Sequence, residues 1–357
     1  MKKIEIIGYK SIKNQTIDLQ SINLLIGANG SGKSNLLSFF TFLRNIYARN
    51  LQAFVSLNGG MDPFLFQGRK ITEQMSAMLT FENSNAYSFV LSAGQEKFVF
   101  TEEKLWYKRN PYAPNAYDIS SYSSESKLQY NTIPRAEYIR IYLDELKKYH
   151  FHDTSKNSPF TKVSNVETGL HSLYPTGENI AAFLYGIQQS NMIVYNRIVR
   201  TVQSVAPYFH NFKLIPDSEK NIRLQWEDKY GVVYGVNDLS DGTIRFVALT
   251  TLFMQPTLPQ TIIIDEPELG LHPFAIAKLA GMIKSAAQRG CQVIAATQST
   301  DLIGHFQPED VLTVDQQNGE SVYKRLSAEQ LGEWLEDYTI DDLWKRNIIT
   351  GGQPNNN

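Results

Sequence analysis

Residues 27–34 read Gly-Ala-Asn-Gly-Ser-Gly-Lys-Ser and fit the pattern G-x-x-x-x-G-K-[ST]. Before them stands a short apolar run of strand length, Ile22-Asn23-Leu24-Leu25-Ile26. After them, SNLLSFFTFLRNIYARN places Leu36, Leu37, Phe40, Leu43 and Ile46 at helical spacing. Arg44 and Arg49 lie toward the C-terminal end of that run, where the helix dipole favours cations. Strand, glycine-rich turn and helix in this order predict a phosphate cradle. Glycines let backbone N–H groups close around phosphate oxygens, and the helix N-terminus adds positive partial charge. Asn29, Gly30, Ser31, Gly32, Lys33, Ser34 and Asn35 are the nucleotide-binding candidates. Lys33 would reach the β- and γ-phosphates, and the Ser34 hydroxyl would ligate Mg²⁺. The alternative is a plain strand-to-helix turn with a surface lysine. The strand and helix on either side favour a nucleoside triphosphate.

Working outward, KIEIIG and QTIDLQ precede the cradle as two more strand-like runs. From about 75 to 107, AMLTFE, YSFVLSA and KFVFTEE alternate with turn residues, as in an antiparallel meander. Residues 110–127 are rich in Pro, Asn, Ser and Tyr and read as a surface loop. Segments 135–148 and 176–204 read as helices. Three short strands follow (FKLIP, IRLQW, VVYGV), then helices at about 243–254 and 273–288 around the run TIIIDEPE, and the strand QVIAAT. The stretch from 311 supplies two strands and a polar helix around 327–337. Residues 351–357, GGQPNNN, read as a frayed tail.

Ile262-Ile263-Ile264-Asp265-Glu266 reads as a buried parallel strand ending in two carboxylates. Ligands of open α/β sheets sit at the carboxyl ends of strands, so the acids are expected to face phosphates. Asp265 would hold Mg²⁺, and Glu266 would polarise the attacking water as general base. A strand ending at a solvated turn is the alternative for this segment taken alone.

Leu239-Ser240-Asp241-Gly242-Thr243 resembles the LSGGQ signature of ABC-type ATPases, with Asp in the third place and Thr in the fifth. EPELGLHP at 266–273 and ATQST at 296–300 are similar to the D-loop and switch region of the SMC/RecF/OLD-like branch. The resemblance to stand-alone ATPases of that branch covers essentially the whole chain. It implies an α/β P-loop NTPase fold, an ABC-type ATPase head with a mixed sheet plus an inserted, partly helical lobe. Residues 1–109 and 231–350 would form the core lobe, 110–230 the insertion, and 351–357 the tail. It implies ATP and Mg²⁺ as cofactors and a homodimer closed head-to-tail around two nucleotides. Ser240, Asp241 and Gly242 would then serve the partner's γ-phosphate. Gln298 stands where many such heads have a switch histidine; a glutamine can orient water but cannot take a proton near neutral pH. His272 stands at a D-loop position often held by aspartate, and either contacts the opposite subunit or caps the helix starting at Pro273. Gln67 in LFQGRK is the Q-loop and metal candidate by position, against a surface-turn reading. Lys10 in GYKSI resembles a basic residue near the nucleotide, against a solvated strand-end lysine. His150 and His152 with Asp153 suggest a metal only weakly, because no third ligand has clear spacing.

Composition narrows the rest. The 357 residues are 42% hydrophobic and 20% charged, a globular balance. Lys+Arg 34 against Asp+Glu 36 gives a net charge of −2, which argues against a wholesale nucleic-acid or membrane-surface binder. DNA stays open as a ligand through the locally basic amino-terminal segment. A single cysteine, Cys291, removes any internal disulfide framework, and the amino terminus reads as a strand with no signal-peptide pattern. The expectation is a cytoplasmic ATPase without membrane spans. It would act as a conformational switch in DNA repair or in defence against phage and plasmids, beside a separate effector such as a nuclease. The alternatives are a slow or non-catalytic nucleotide-gated partner-binding module and the ATPase subunit of a transporter.

Overall fold

A computed structural model describes residues 1–82, 85–107 and 115–349. The chain packs as two compact units: Met1–Leu146 with the chain from Gln307 onward, and Lys147–Phe306. In chain order the elements that position the site begin with β1 (Lys3–Tyr9), β2 (Ile12–Asp18), β3 (Ile22–Ile26) and α1 (Lys33–Tyr47). β4 (Gln74–Thr80), β5 (Asn85–Ala93), β6 (Phe98–Tyr107), β7 (Ala116–Ser120) and α2 (Pro134–Asp144) follow. The second unit contributes α3 (Ile180–Ser190), α4 (Met192–Val205), α5 (Asp241–Met254), β8 (Thr261–Asp265), α6 (Pro273–Gln288) and β9 (Gln292–Thr297). The chain then returns with β10 (Val311–Gln317) and β11 (Glu320–Arg325).

In the first unit an antiparallel sheet runs in the order β2-β1-β4-β5-β6-β7. β3 belongs elsewhere: it pairs in parallel with β10, Leu24 opposite Val311 and Ile26 opposite Thr313, and β10 pairs antiparallel with β11. All five residues of β3 are buried, so its apolar residues do not alternate; the buried Asn23 among the five donates to Gln20 O at 2.7 Å. α1 buries Leu36, Leu37, Phe39, Phe40, Phe42, Leu43 and Ile46. Tyr9 meets Phe39 edge-on at 5.2 Å, and Phe42 lies 5.4 Å from Phe64. Each such side chain contributes about 1.5–3 kcal/mol by leaving water, so the helix following the cradle is anchored by packing.

The second unit sets β8 and β9 in parallel, in register from Thr261 opposite Gln292 to Asp265 opposite Ala296, with α6 connecting them. Phe209–Phe212, Gln225–Asp228 and Val233–Gly235 form a small antiparallel sheet. The third matches the expected VVYGV, but the second shares only Gln225 and Trp226 with IRLQW and the first shares only Phe212 with FKLIP, whose residues 213–216 are not strand.

Several expected elements are cut differently. Segment 176–204 is two helices, because Asn191 adopts an extended φ of −149° and its side chain accepts from Val194 N to cap α4. The helix expected over 135–148 stops at Asp144, and Leu146–Tyr149 turn into a strand beside β8. Within 110–127, Ala116–Ser120 is an edge strand on β6, not loop; residues 108–114 lie outside the described residues. Gly332, at φ +46°, splits the expected 327–337 helix into Ala328–Leu331 and Trp334–Asp337. The compact units also divide the chain at points other than the expected 110–230 insertion. The 351–357 tail lies outside the described residues.

Candidate active site

The candidate residues fall into two groups, one in each unit. In the first unit, residues 27–32 leave β3 and Lys33 opens α1. The turn is closed by Ser31 N donating to Ala28 O (3.2 Å) and Asn35 N to Gly32 O (3.0 Å). Gly32 takes φ +115° and Gly30 φ +80°. A Cβ on Gly32 would overlap Ser321 Oγ, whereas one on Gly30 would meet nothing within 4 Å. One glycine is demanded by packing, and the other leaves open space in the loop.

Sequence reading missed what braces this loop. From β11, Ser321 Oγ donates to Ser31 O at 2.6 Å and Tyr323 OH donates to Gly32 O at 2.8 Å. Ser11, at the β1–β2 turn, shares a 2.7 Å hydroxyl contact with Ser321 and accepts from Asn35 Nδ2 at 2.6 Å. No local pattern marks Ser11, Ser321 or Tyr323. Lys33 is 6% exposed and its Nζ donates to Gly27 O (2.5 Å) and Ala28 O (3.0 Å), so the cation is curled onto the loop. Ser31 Oγ is buried with no partner among the described residues, and Ser34 and Asn29 are exposed. An orphan hydroxyl, open space around Gly30 and a lysine against loop carbonyls suit a polyphosphate. Lys10 sits at φ +48° with its Nζ 5.7 Å from the Tyr9 ring centroid and 5.8 Å from that of Phe64. Gln67 is exposed at φ +57°, its amide beside Gly319 in the β10–β11 turn.

In the second unit, β8 delivers Asp265 at its carboxyl end. Glu266 turns out of the strand at φ +38°, a conformation L-residues rarely adopt, while its N–H still donates to Ala296 O at 2.8 Å. Gln298 Nε2 donates to Glu266 Oε1 at 2.6 Å. The expected pair of carboxylate and switch glutamine is therefore joined directly. Lys148 and His150 feel the charge of Asp265. Burial pushes the Lys148 ammonium down and Asp265 opposes it; His150 is pushed down by burial, then by His152 and Lys148. The His150 and His152 rings do come together, 4.6 Å apart and edge-on. Among the described residues no group of three or more His, Cys, Asp or Glu is placed to hold a metal.

Ser240 caps α5, its Oγ accepting from Thr243 N at 3.3 Å, and Ser240 and Asp241 are exposed. Gly242 is needed where it stands, because a Cβ there would come 2.5 Å from Gly270 O. Arg245 ties the same helix to the D-loop region, donating to Leu269 O and to His152 O, each at 2.8 Å. His272 caps α6: its Nδ1 accepts from Phe274 N at 3.2 Å.

A phosphate loop between strand and helix, with an apolar parallel strand ending in Asp-Glu, defines the fold of an ABC-type P-loop ATPase. The chain belongs to the family described as "AAA domain, putative AbiEii toxin, Type IV TA system", whose model matches residues 22–304. Over 138 residues it is 28% identical to the energy-coupling factor transporter ATP-binding protein EcfA2 of Lactobacillus delbrueckii subsp. bulgaricus. That match covers 36% of this chain and 46% of EcfA2, so the chain spans just under half of that protein. Among solved structures, an Smc head bound to the C-winged helix domain of ScpA aligns with TM-score 0.59 and 16% identity over 92% of this chain and 98% of that one. An Smc head with an extended coiled coil, bound to the C-terminal domain of ScpA from Pyrococcus furiosus, aligns with TM-score 0.55 and 15% identity over 94% and 98%. At these identities the likeness is one of fold. No helix among the described residues is long and apolar enough to cross a membrane.

Proposed function

We propose that this chain hydrolyses ATP to ADP and phosphate, and that it does so as a head-to-tail homodimer with two nucleotides sandwiched between subunits. The observation that carries the reading is the 2.6 Å bond from the Gln298 amide to Glu266, a carboxylate held on strained backbone at the end of a buried strand. Lys33 stabilises charge on the transferring group, and backbone N–H groups of residues 29–35 hold the phosphates. Glu266 takes the proton from the attacking water, and Gln298 keeps that carboxylate oriented. Gln298 bonds but does not accept a proton, so Glu266 is the sole base and turnover is slow. Ser34, Asp265 and Gln67 offer oxygen donors suited to Mg²⁺, which when bound neutralises phosphate charge. Ser240, Asp241 and Gly242 reach the partner subunit's nucleotide, and His272 contacts that subunit besides capping its own helix.

The closed dimer acts as a switch for a separate effector, in DNA repair or in defence against phage and plasmids. The toxin–antitoxin wording of the family description supports the defence branch. Glu266→Gln, which keeps the acceptor for Gln298 but not the base, should bind ATP, stall hydrolysis and accumulate the sandwich. Light scattering on a sizing column should give twice the monomer mass only with Mg-ATP. A mass indifferent to bound ATP would overturn the dimer, and undiminished phosphate release would overturn the role of Glu266.

A further inference from the structure

Two residues beyond Glu266 stands a third acid that sequence reading assigned no role. Glu268 is 8% exposed. Its Oε1 accepts from Thr297 Oγ1 at 2.5 Å and from Gln298 N at 3.4 Å, and Thr297 Oγ1 accepts in turn from Ser299 N at 3.0 Å. One carboxylate oxygen therefore gathers the turn that leaves β9. Its other oxygen, Oε2, is buried with no partner among the described residues.

The bonds continue a ladder that the backbone abandons. β8 and β9 pair as far as Asp265 opposite Ala296, and Glu266 N donates once more to Ala296 O. Beyond that point side chains take over, Gln298 to Glu266 and Thr297 to Glu268. A glutamine side chain keeps one amide on one oxygen only if its own backbone is held, and Glu268 holds it. Stability does not explain the choice. A buried carboxylate with an orphan oxygen opposes folding, and an apolar pair at 268 and 297 would pack without that penalty. Burial pushes the Glu268 carboxyl up, with the Thr297 hydroxyl opposing.

We propose that Glu268 is a positioning residue for hydrolysis: it fixes the Thr297–Gln298 turn so that the Gln298 amide stays on Glu266. The inference rests on the reading of Glu266 as the base. It acts through Gln298, so its removal should lower kcat and leave the KM for ATP alone.

The test is steady-state ATP hydrolysis by the full chain, comparing Glu268→Ala, Glu268→Gln, Gln298→Ala and the Glu268→Ala/Gln298→Ala double variant. Glu268→Ala should lower kcat about tenfold with KM within about twofold, the size of one lost oriented interaction. Glu268→Gln keeps Oε1 as acceptor and should restore most of the rate. The double variant should be no slower than Gln298→Ala alone, because both changes break one linkage. Multiplying effects, or a rise in KM without a fall in kcat, would overturn the proposal. Thr297→Val removes the donor at nearly constant volume, so it should reproduce the kcat defect even if Glu268→Ala folds poorly. Hydrogen exchange of the Gln298 and Ser299 backbone amides, which donate to Glu268 and Thr297, followed by NMR without nucleotide, needs no turnover. It should be slow in the wild type and fast in Glu268→Ala and Thr297→Val; equal rates would refute the positioning. A wild type that shows this contrast but does not hydrolyse ATP would refute the ATPase reading instead.

Discussion

Gly32→Ala should destabilise the chain by about 2–6 kcal/mol, and the figure can be built from two parts. Gly32 lies at φ +115° and ψ +7°, and a residue with a Cβ held there costs on the order of 1–3 kcal/mol. The new Cβ would also overlap Ser321 Oγ, fall 2.7 Å from Ser321 Cβ and come 3.1 Å from Ser11 Oγ. Rotating Ser321 does not relieve this: its Cβ is itself too close, and its Oγ is bonded to Ser31 O at 2.6 Å. β11 must move, an overpacking of about 1–3 kcal/mol. Gly30→Ala isolates the first part. Gly30 sits at φ +80° with nothing within 4 Å of a Cβ, so its loss should be about 1–2 kcal/mol of backbone strain. Urea unfolding followed by circular dichroism gives both values, and hydrogen exchange at α1 should locate the Gly32 loss in the first unit. Equal costs for the two variants, or less than about 1 kcal/mol for Gly32→Ala, would refute the claim that β11 closes over the loop.

Two further outcomes follow from the second unit. Gly242→Ala in α5 should lower Tm although a helical Gly→Ala change usually stabilises, because its Cβ would come 2.5 Å from Gly270 O; a raised Tm would show that the D-loop yields. Glu268 is held above the ordinary carboxyl value of 4.5 by burial, with Glu266 the charged group that adds to it. The fold therefore keeps this proton after the unfolded chain has lost it, so stability falls as pH rises from the ordinary value through the folded one. Thermal melts should show Glu268→Gln gaining on wild type at about pH 8 and little at about pH 4. The same gain at both would mean the carboxyl is not buried in its charged form.

Much of the site was legible because its chemistry is written locally. Glycine spacing, an apolar run of strand length and a helix-period stripe act over a few residues each, so 22–47 and 261–266 could be read directly. Helix breaks were read less well. Asn191 and Gly332 interrupt apolar periodicity without changing it, and a cap is visible only once the backbone has turned.

Local sequence specified the phosphate loop between β3 and α1 and the apolar strand ending in Asp265 and Glu266. Which partners hold those pieces follows only from the folded chain. Ser321 braces Ser31 from 290 residues away, Gly270 makes Gly242 obligatory, and Thr297 finds Glu268. The physical reason is range. A turn or a strand is specified by neighbours along the chain, whereas a hydrogen bond or a close approach between distant segments leaves no periodic trace in either.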